Sequence, residues 1–110
     1  MINKNKLYLF LRKMVDITII SGDELVNAIN QIILKFRGGD KSIDSFYLQI
    51  SNLNNDIEMN VSSDLYEDFK REKRCVYHES LYGDGEYVEN VVNECITVLE
   101  EIIAYISVTI

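Results

Sequence analysis

IDSFYLQISNLNNDIEMNVS, residues 43–62, reads in two ways, and the choice between them sets the fold class. Ile43, Phe46, Tyr47, Ile50, Leu53 and Ile57 recur at helical steps and share one face of an α-helix. Phe46, Leu48 and Ile50, then Ile57, Met59 and Val61, alternate instead with a period of two, as in a pair of strands joined through Asn52-Leu53-Asn54-Asn55. That hairpin, covering residues 44–62, leaves Leu53 at a loop tip in water. The helical reading keeps Leu53 on the apolar face and is favoured. It makes the chain all-α, whereas the hairpin would make it α+β.

Working outward, Gly38-Gly39 closes whatever precedes this stretch, because glycine takes the left-handed conformation that ends helices. Upstream, Leu25, Ile29, Ile32, Ile33 and Phe36 form an apolar stripe, and Ser21-Gly22-Asp23-Glu24 is a capping box with Ser21 at the N-cap. Lys35 and Arg37 meet the negative end of the helix dipole. A helix over residues 22–37 follows. Leu7, Phe10, Leu11, Met14 and Val15 place an earlier helix at the N-terminus, ended by the β-branched run Ile17-Thr18-Ile19-Ile20.

Downstream, Ser62-Ser63-Asp64 caps a charged helix that carries Leu65, Tyr66 and Phe69 through about residue 74. Gly83-Asp84-Gly85 breaks the chain. Tyr87, Val88, Val91, Val92, Cys95, Val98, Leu99, Ile102 and Ile103 then describe a long amphipathic helix. Nothing resembling a linker or an internal repeat intervenes, so residues 1–110 are expected to form a single-domain helical bundle of about four to five helices.

The composition, 47% hydrophobic and 26% charged over 110 residues, belongs to a globular chain able to bury one core. The net charge of −7 opposes direct binding of DNA or RNA, which needs clustered Lys and Arg to neutralise phosphates. A basic partner is favoured instead. The charge is also polarised along the chain: residues 1–42 carry a surplus of basic groups, while residues 75–110 hold Glu79, Asp84, Glu86, Glu89, Glu94, Glu100 and Glu101 and no Lys or Arg.

The apolar run Leu7–Leu11 is too short for a secretory signal, and the two cysteines, Cys75 and Cys95, make no disulfide framework. A cytoplasmic location is the expectation. The apolar C-terminal segment IIAYISVTI is shorter than the roughly 20 residues that cross a bilayer, so it reads as core or partner surface.

Few residues carry recognisable chemistry. Cys75 and His78 offer two ligands on one helical face, where zinc needs three or four, so no metal or cofactor is expected. Gly83-Asp84-Gly85 lacks the spacing and the lysine of a phosphate loop and reads as a turn. Glu86 and Glu89 have the residue type for acid/base work, which keeps a small enzyme as one alternative. The chain otherwise offers little to enclose a substrate, and the main reading is non-enzymatic.

The most informative stretch is HESLYGDGEYVENVVNE, residues 78–94, where Tyr82 and Tyr87 stand among Glu79, Asp84, Glu86 and Glu89. Tyrosine gives contact area at low entropic cost, which suits an interface, although an ordinary solvated helix face has a similar composition. These six residues are the candidate partner-binding set.

Taken in order, LFLRKMVDITIISGDELVNAINQIILKF, FYLQISNLNNDIE and SLYGDGEYVENVVNECITVLEEI resemble the small acidic immunity proteins of the colicin D type, including those encoded beside contact-dependent growth inhibition toxins. The chain departs from them in its long 54–77 segment and its apolar tail after Ala104. The resemblance implies a helical bundle that acts as an antitoxin, binding a basic nuclease toxin, usually a tRNase, one to one. It also implies that acidic side chains cover the toxin's active site where RNA phosphates would lie. The alternative from another class is a regulatory or adaptor module that self-associates through its C-terminal segment.

Overall fold

The computed structural model describes residues 21–109, and its first helix begins where the capping box places it. Ser21 Oγ accepts from the Glu24 amide at 3.1 Å, while the Glu24 carboxylate accepts from the Ser21 amide at 2.9 Å. Two amides that helix geometry leaves without partners are thereby satisfied. The helix, α1 (Gly22–Arg37), ends in a Schellman closure: the Asp40 amide donates to the Lys35 carbonyl at 3.1 Å and the Gly39 amide to the Phe36 carbonyl at 3.3 Å. Of the two glycines only Gly39 has a positive φ, +130°, and Gly38 stays in the right-handed helical region. The helix expected around Leu7–Val15 lies outside the described residues.

Residues 43–62 are helical, but as two helices rather than one. Ser42 caps α2 (Ile43–Asn52) by accepting from the Ser45 amide at 3.1 Å, and after a break at Leu53 comes α3 (Asn54–Asn60). Phe46, Ile50 and Ile57 are buried, whereas Leu48 is 62% exposed and Met59 58% exposed. A hairpin would have put Leu48 on the face of Phe46 and Ile50, so this difference in exposure excludes it.

The break has a local and a tertiary cause. Asn52, Asn54 and Asn55 are poor helix formers whose side chains compete for backbone hydrogen bonds. The Asn54 side chain is also tied to the next helix, donating to Tyr66 Oη at 2.8 Å and accepting from Lys73 Nζ at 2.9 Å.

Ser62 caps α4 (Ser63–Tyr82), again by accepting an amide three residues on, from Leu65 at 3.2 Å. This helix runs eight residues past the expected charged segment, with Phe69 and Val76 as its buried side chains. Gly83 ends it, donating its amide to the Glu79 carbonyl at 2.9 Å. The last helix, α5 (Val88–Thr109), is the centre of the bundle: Val92, Cys95, Ile96, Leu99, Ile102 and Ile106 are buried against α4 and α1. Ile96 and Ile106 extend its stripe beyond the expected residues, and Tyr87 lies outside the helix, 53% exposed.

α2 packs between α1 and α4, where Phe36 and Phe46 meet edge to face with ring centres 5.7 Å apart. The described residues thus form an all-α bundle of five helices around one core, with no strand among them. Each fully buried Leu, Ile or Phe contributes about 1.5–3 kcal/mol, against roughly 0–1 for an exposed ion pair such as Arg37–Glu100 at 3.4 Å. The core decides the fold. Among the described residues no helix is long and apolar enough to cross a membrane.

Candidate functional site

The junction between α4 and α5 gathers the acidic tyrosine-bearing stretch at one place on the bundle. Tyr82 is the last residue of α4, 73% exposed, with its ring centre 4.9 Å from that of His78 one turn earlier. The connecting turn is held by Asp84, whose Oδ1 accepts from the Glu86 amide at 3.0 Å, and by Gly85, whose φ of +94° suits glycine. Asp84, Glu86 and Tyr87 are all exposed on it. Exposed Leu81 adds an apolar side chain to the same corner.

Glu79 has a different setting. It is half-buried in the last turn of α4, and its carboxylate folds back over Gly83 so closely that any side chain at 83 would overlap it. Its Oε2 is buried with no hydrogen-bond partner among the described residues. Glu79 also borders a groove of about 320 Å³ between α4 and α5, together with Glu72, Cys75, Tyr87, Asn90, Val91 and Glu94. An acceptor removed from water without a donor costs free energy, a local penalty at the end of α4.

The six candidate residues therefore divide. Glu79 and Tyr87 face one groove, and Asp84 and Glu86 lie on the turn beside it. Tyr82 does not line the groove, and Glu89, in the first turn of α5, is paired with Lys41 Nζ at 3.8 Å. The sequence stretch without Lys or Arg is thus met in space by Lys41 here and by Arg37 at Glu100. Both contacts leave their side chains about half exposed, so a more basic partner can displace them at little cost. Glu72 and Glu94 were absent from the candidate set because only the packing of α4 on α5 brings them to the groove. Their sole signal in the sequence was charge.

Glu86 and Glu89 do not face one another across a recess, since one is on the turn and the other turns toward Lys41. No group of three or more His, Cys, Asp or Glu side chains is placed to hold a metal ion among the described residues. Cys75 is exposed on α4 and Cys95 is buried in the core.

Burial, aided by the nearby Glu72 carboxylate, pushes the Cys95 thiol up to about 12. Its folded pKa thus exceeds the unfolded value of about 8.5. The resulting stability is complete below that unfolded value and is lost as pH rises through the window toward 12, at up to about 1.4 kcal/mol per pH unit. Cys95→Ala should flatten this part of the stability profile relative to the parent chain, measured by denaturant melts at stepped alkaline pH. A thiol-specific disulfide reagent should modify Cys75 at once and Cys95 only on unfolding; rapid modification of both would contradict the placement.

Comparison with protein-family models, with curated proteins and with solved structures gave no match for this chain.

Proposed function

We propose that this protein is an immunity protein that binds a basic nuclease toxin, one to one, and blocks its active site through the α4–α5 junction. The observation that carries this reading is the grouping of exposed Tyr82 and Tyr87 with Asp84, Glu86 and the half-buried Glu79 at that corner. A nuclease cleft must be positive to hold phosphates. Carboxylates at a complementary spacing steer the encounter and compete with RNA, while tyrosines supply rigid contact area. Inhibition of this kind requires no catalytic group and no cofactor. The resemblance in helix order and acidic, aromatic helix junction to colicin D-type immunity proteins points the same way, and a tRNase is the toxin class it implies.

The test is a search for a nuclease domain encoded beside this chain, followed by co-expression of the two. A stable one-to-one complex is expected, with an association rate that falls steeply as salt rises from low values toward physiological ionic strength, where the Debye length is about 8 Å. Equal rates at low and high salt would remove the electrostatic part of the proposal.

One observation favours a second reading, self-association. Near the end of α5, Leu65, Ala104, Tyr105 and Val108, with Glu101 at one side, surround a largely apolar recess of about 480 Å³, and Val108 is 84% exposed. Sedimentation across a concentration series separates the two readings, because a self-associating module gains mass without a partner and an immunity protein of the proposed kind stays monomeric.

A further inference from the structure

A second recess lies between α2, the α2–α3 break and α4, and its chemistry is opposite to that of the acidic corner. Tyr47, Tyr66 and Tyr77 form its walls, and Lys70, Lys73 and Arg74 supply three positive charges. Asn54 completes the lining, and no carboxylate of the described residues takes part. The volume is about 290 Å³.

The side chains are held before any ligand arrives. Asn54 links Tyr66 Oη at 2.8 Å to Lys73 Nζ at 2.9 Å, and Tyr47 and Tyr77 pack with ring centres 5.1 Å apart. The break at Leu53 is what places Asn54 there. Lys70 pairs with Glu67 at 3.1 Å and lies over the Tyr66 ring, 5.0 Å from its centre. Lys73 and Arg74 have no carboxylate partner among the described residues.

Lys73 is partly buried, and its pKa is lowered, first by that burial and further by Lys70, with Cys95 opposing. Cys95 is protonated at neutral pH and brings no negative charge there. A half-buried ammonium beside a guanidinium, both without counter-charge, in a cavity walled by aromatic rings, is a demand for an anion that also carries a flat apolar part.

We propose that this recess binds a mononucleotide, with its phosphate on Lys73 and Arg74 and its base against the Tyr47–Tyr77 wall. Inorganic phosphate is far smaller than 290 Å³ and leaves the tyrosines unused. A nucleic-acid strand is disfavoured for the opposite reason: the cations are confined to one short stretch of α4, and the chain carries a net charge of −7 that repels a polyanion. The site does not overlap the acidic corner and does not depend on the toxin-binding role.

Isothermal titration of the full chain with adenosine 5′-monophosphate, adenosine, inorganic phosphate and a short single-stranded oligonucleotide tests the assignment. Saturable binding of the monophosphate is expected, with adenosine and inorganic phosphate each about tenfold weaker or more, and with the oligonucleotide no tighter than the monomer. Arg74 is exposed, so Arg74→Gln should keep the native circular dichroism and thermal midpoint while weakening the monophosphate about tenfold. Tyr77→Leu should weaken the monophosphate and leave inorganic phosphate unchanged.

Four outcomes overturn the proposal. They are no saturation by roughly 5 mM monophosphate, equal affinity for adenosine, equal affinity for inorganic phosphate, and monophosphate affinity unaltered in Arg74→Gln. Tighter binding of the oligonucleotide would replace it with a single-strand site.

Discussion

Ile29→Asp is expected to abolish the cooperative thermal transition. Ile29 is fully buried on the inner face of α1, which packs directly on α5. An aspartate there either keeps its charge in a nonpolar setting without a partner or takes up a proton to avoid it, and both cost several kcal/mol. Total stabilities of domains this size run at about 5–15 kcal/mol, so the loss removes most of the margin. Leu34→Asp is the matched control on the same helix. Leu34 is 63% exposed, and the change should cost no more than about 1.5 kcal/mol, from lost helix propensity and a negative charge at the C-terminal end of the helix dipole. Melts that move equally for the two variants would contradict the burial pattern on which the bundle rests.

The second large effect concerns the α4–α5 corner. Reversal of Glu79, Asp84, Glu86 and Glu89 to lysine should lower affinity for the toxin domain about 100-fold or more, because a desolvated charge pair at an interface is worth roughly 1.5–7 kcal/mol. Two of these positions are not simply exposed. Lysine at 79 would place an ammonium in the pocket over Gly83, and lysine at 89 would face Lys41. The double variant Asp84→Lys/Glu86→Lys avoids both problems, since its positions lie exposed on the turn with no ion pair among the described residues, and it gives up only the one turn hydrogen bond from the Glu86 amide to Asp84. Its circular dichroism should stay native while most of the binding loss is retained. Full affinity in the double variant, with loss only in the fourfold one, would move the interface toward the groove bordered by Glu72 and Glu94.

What the sequence made legible, and what it did not, follows from the range of the forces involved. The limits of α1 were readable because Ser21, Glu24 and Gly39 act on their own backbone within a few residues. The helical nature of residues 43–60 was readable from the step between Phe46, Ile50 and Ile57, yet the break at Leu53 was not. Asparagine-rich sequence permits a break there, but the bonds from Asn54 to Tyr66 and Lys73 fix it, and those partners lie twelve and nineteen residues away.

α4 ran longer than expected because its second half offers only Val76 to the core and hides its helical stripe among charges. The acidic corner was visible as Gly83-Asp84-Gly85 between two apolar patterns. The groove beside it depends on how two helices pack, and the tyrosine–lysine recess depends on three. One trace of the latter was present all the same: Tyr66, Lys70, Lys73 and Tyr77 follow one another at helical steps along a single face of α4.

Whether this chain blocks a nuclease by covering its active site, as proposed, is decided by titrating, with the purified protein, the RNA cleavage of a nuclease domain that it binds. Cleavage should fall linearly and reach zero at one equivalent for long and short RNA substrates alike, since an occluded site accepts neither. Cleavage that persists at saturating protein, or that is lost for long substrates and retained for short ones, would contradict the proposal.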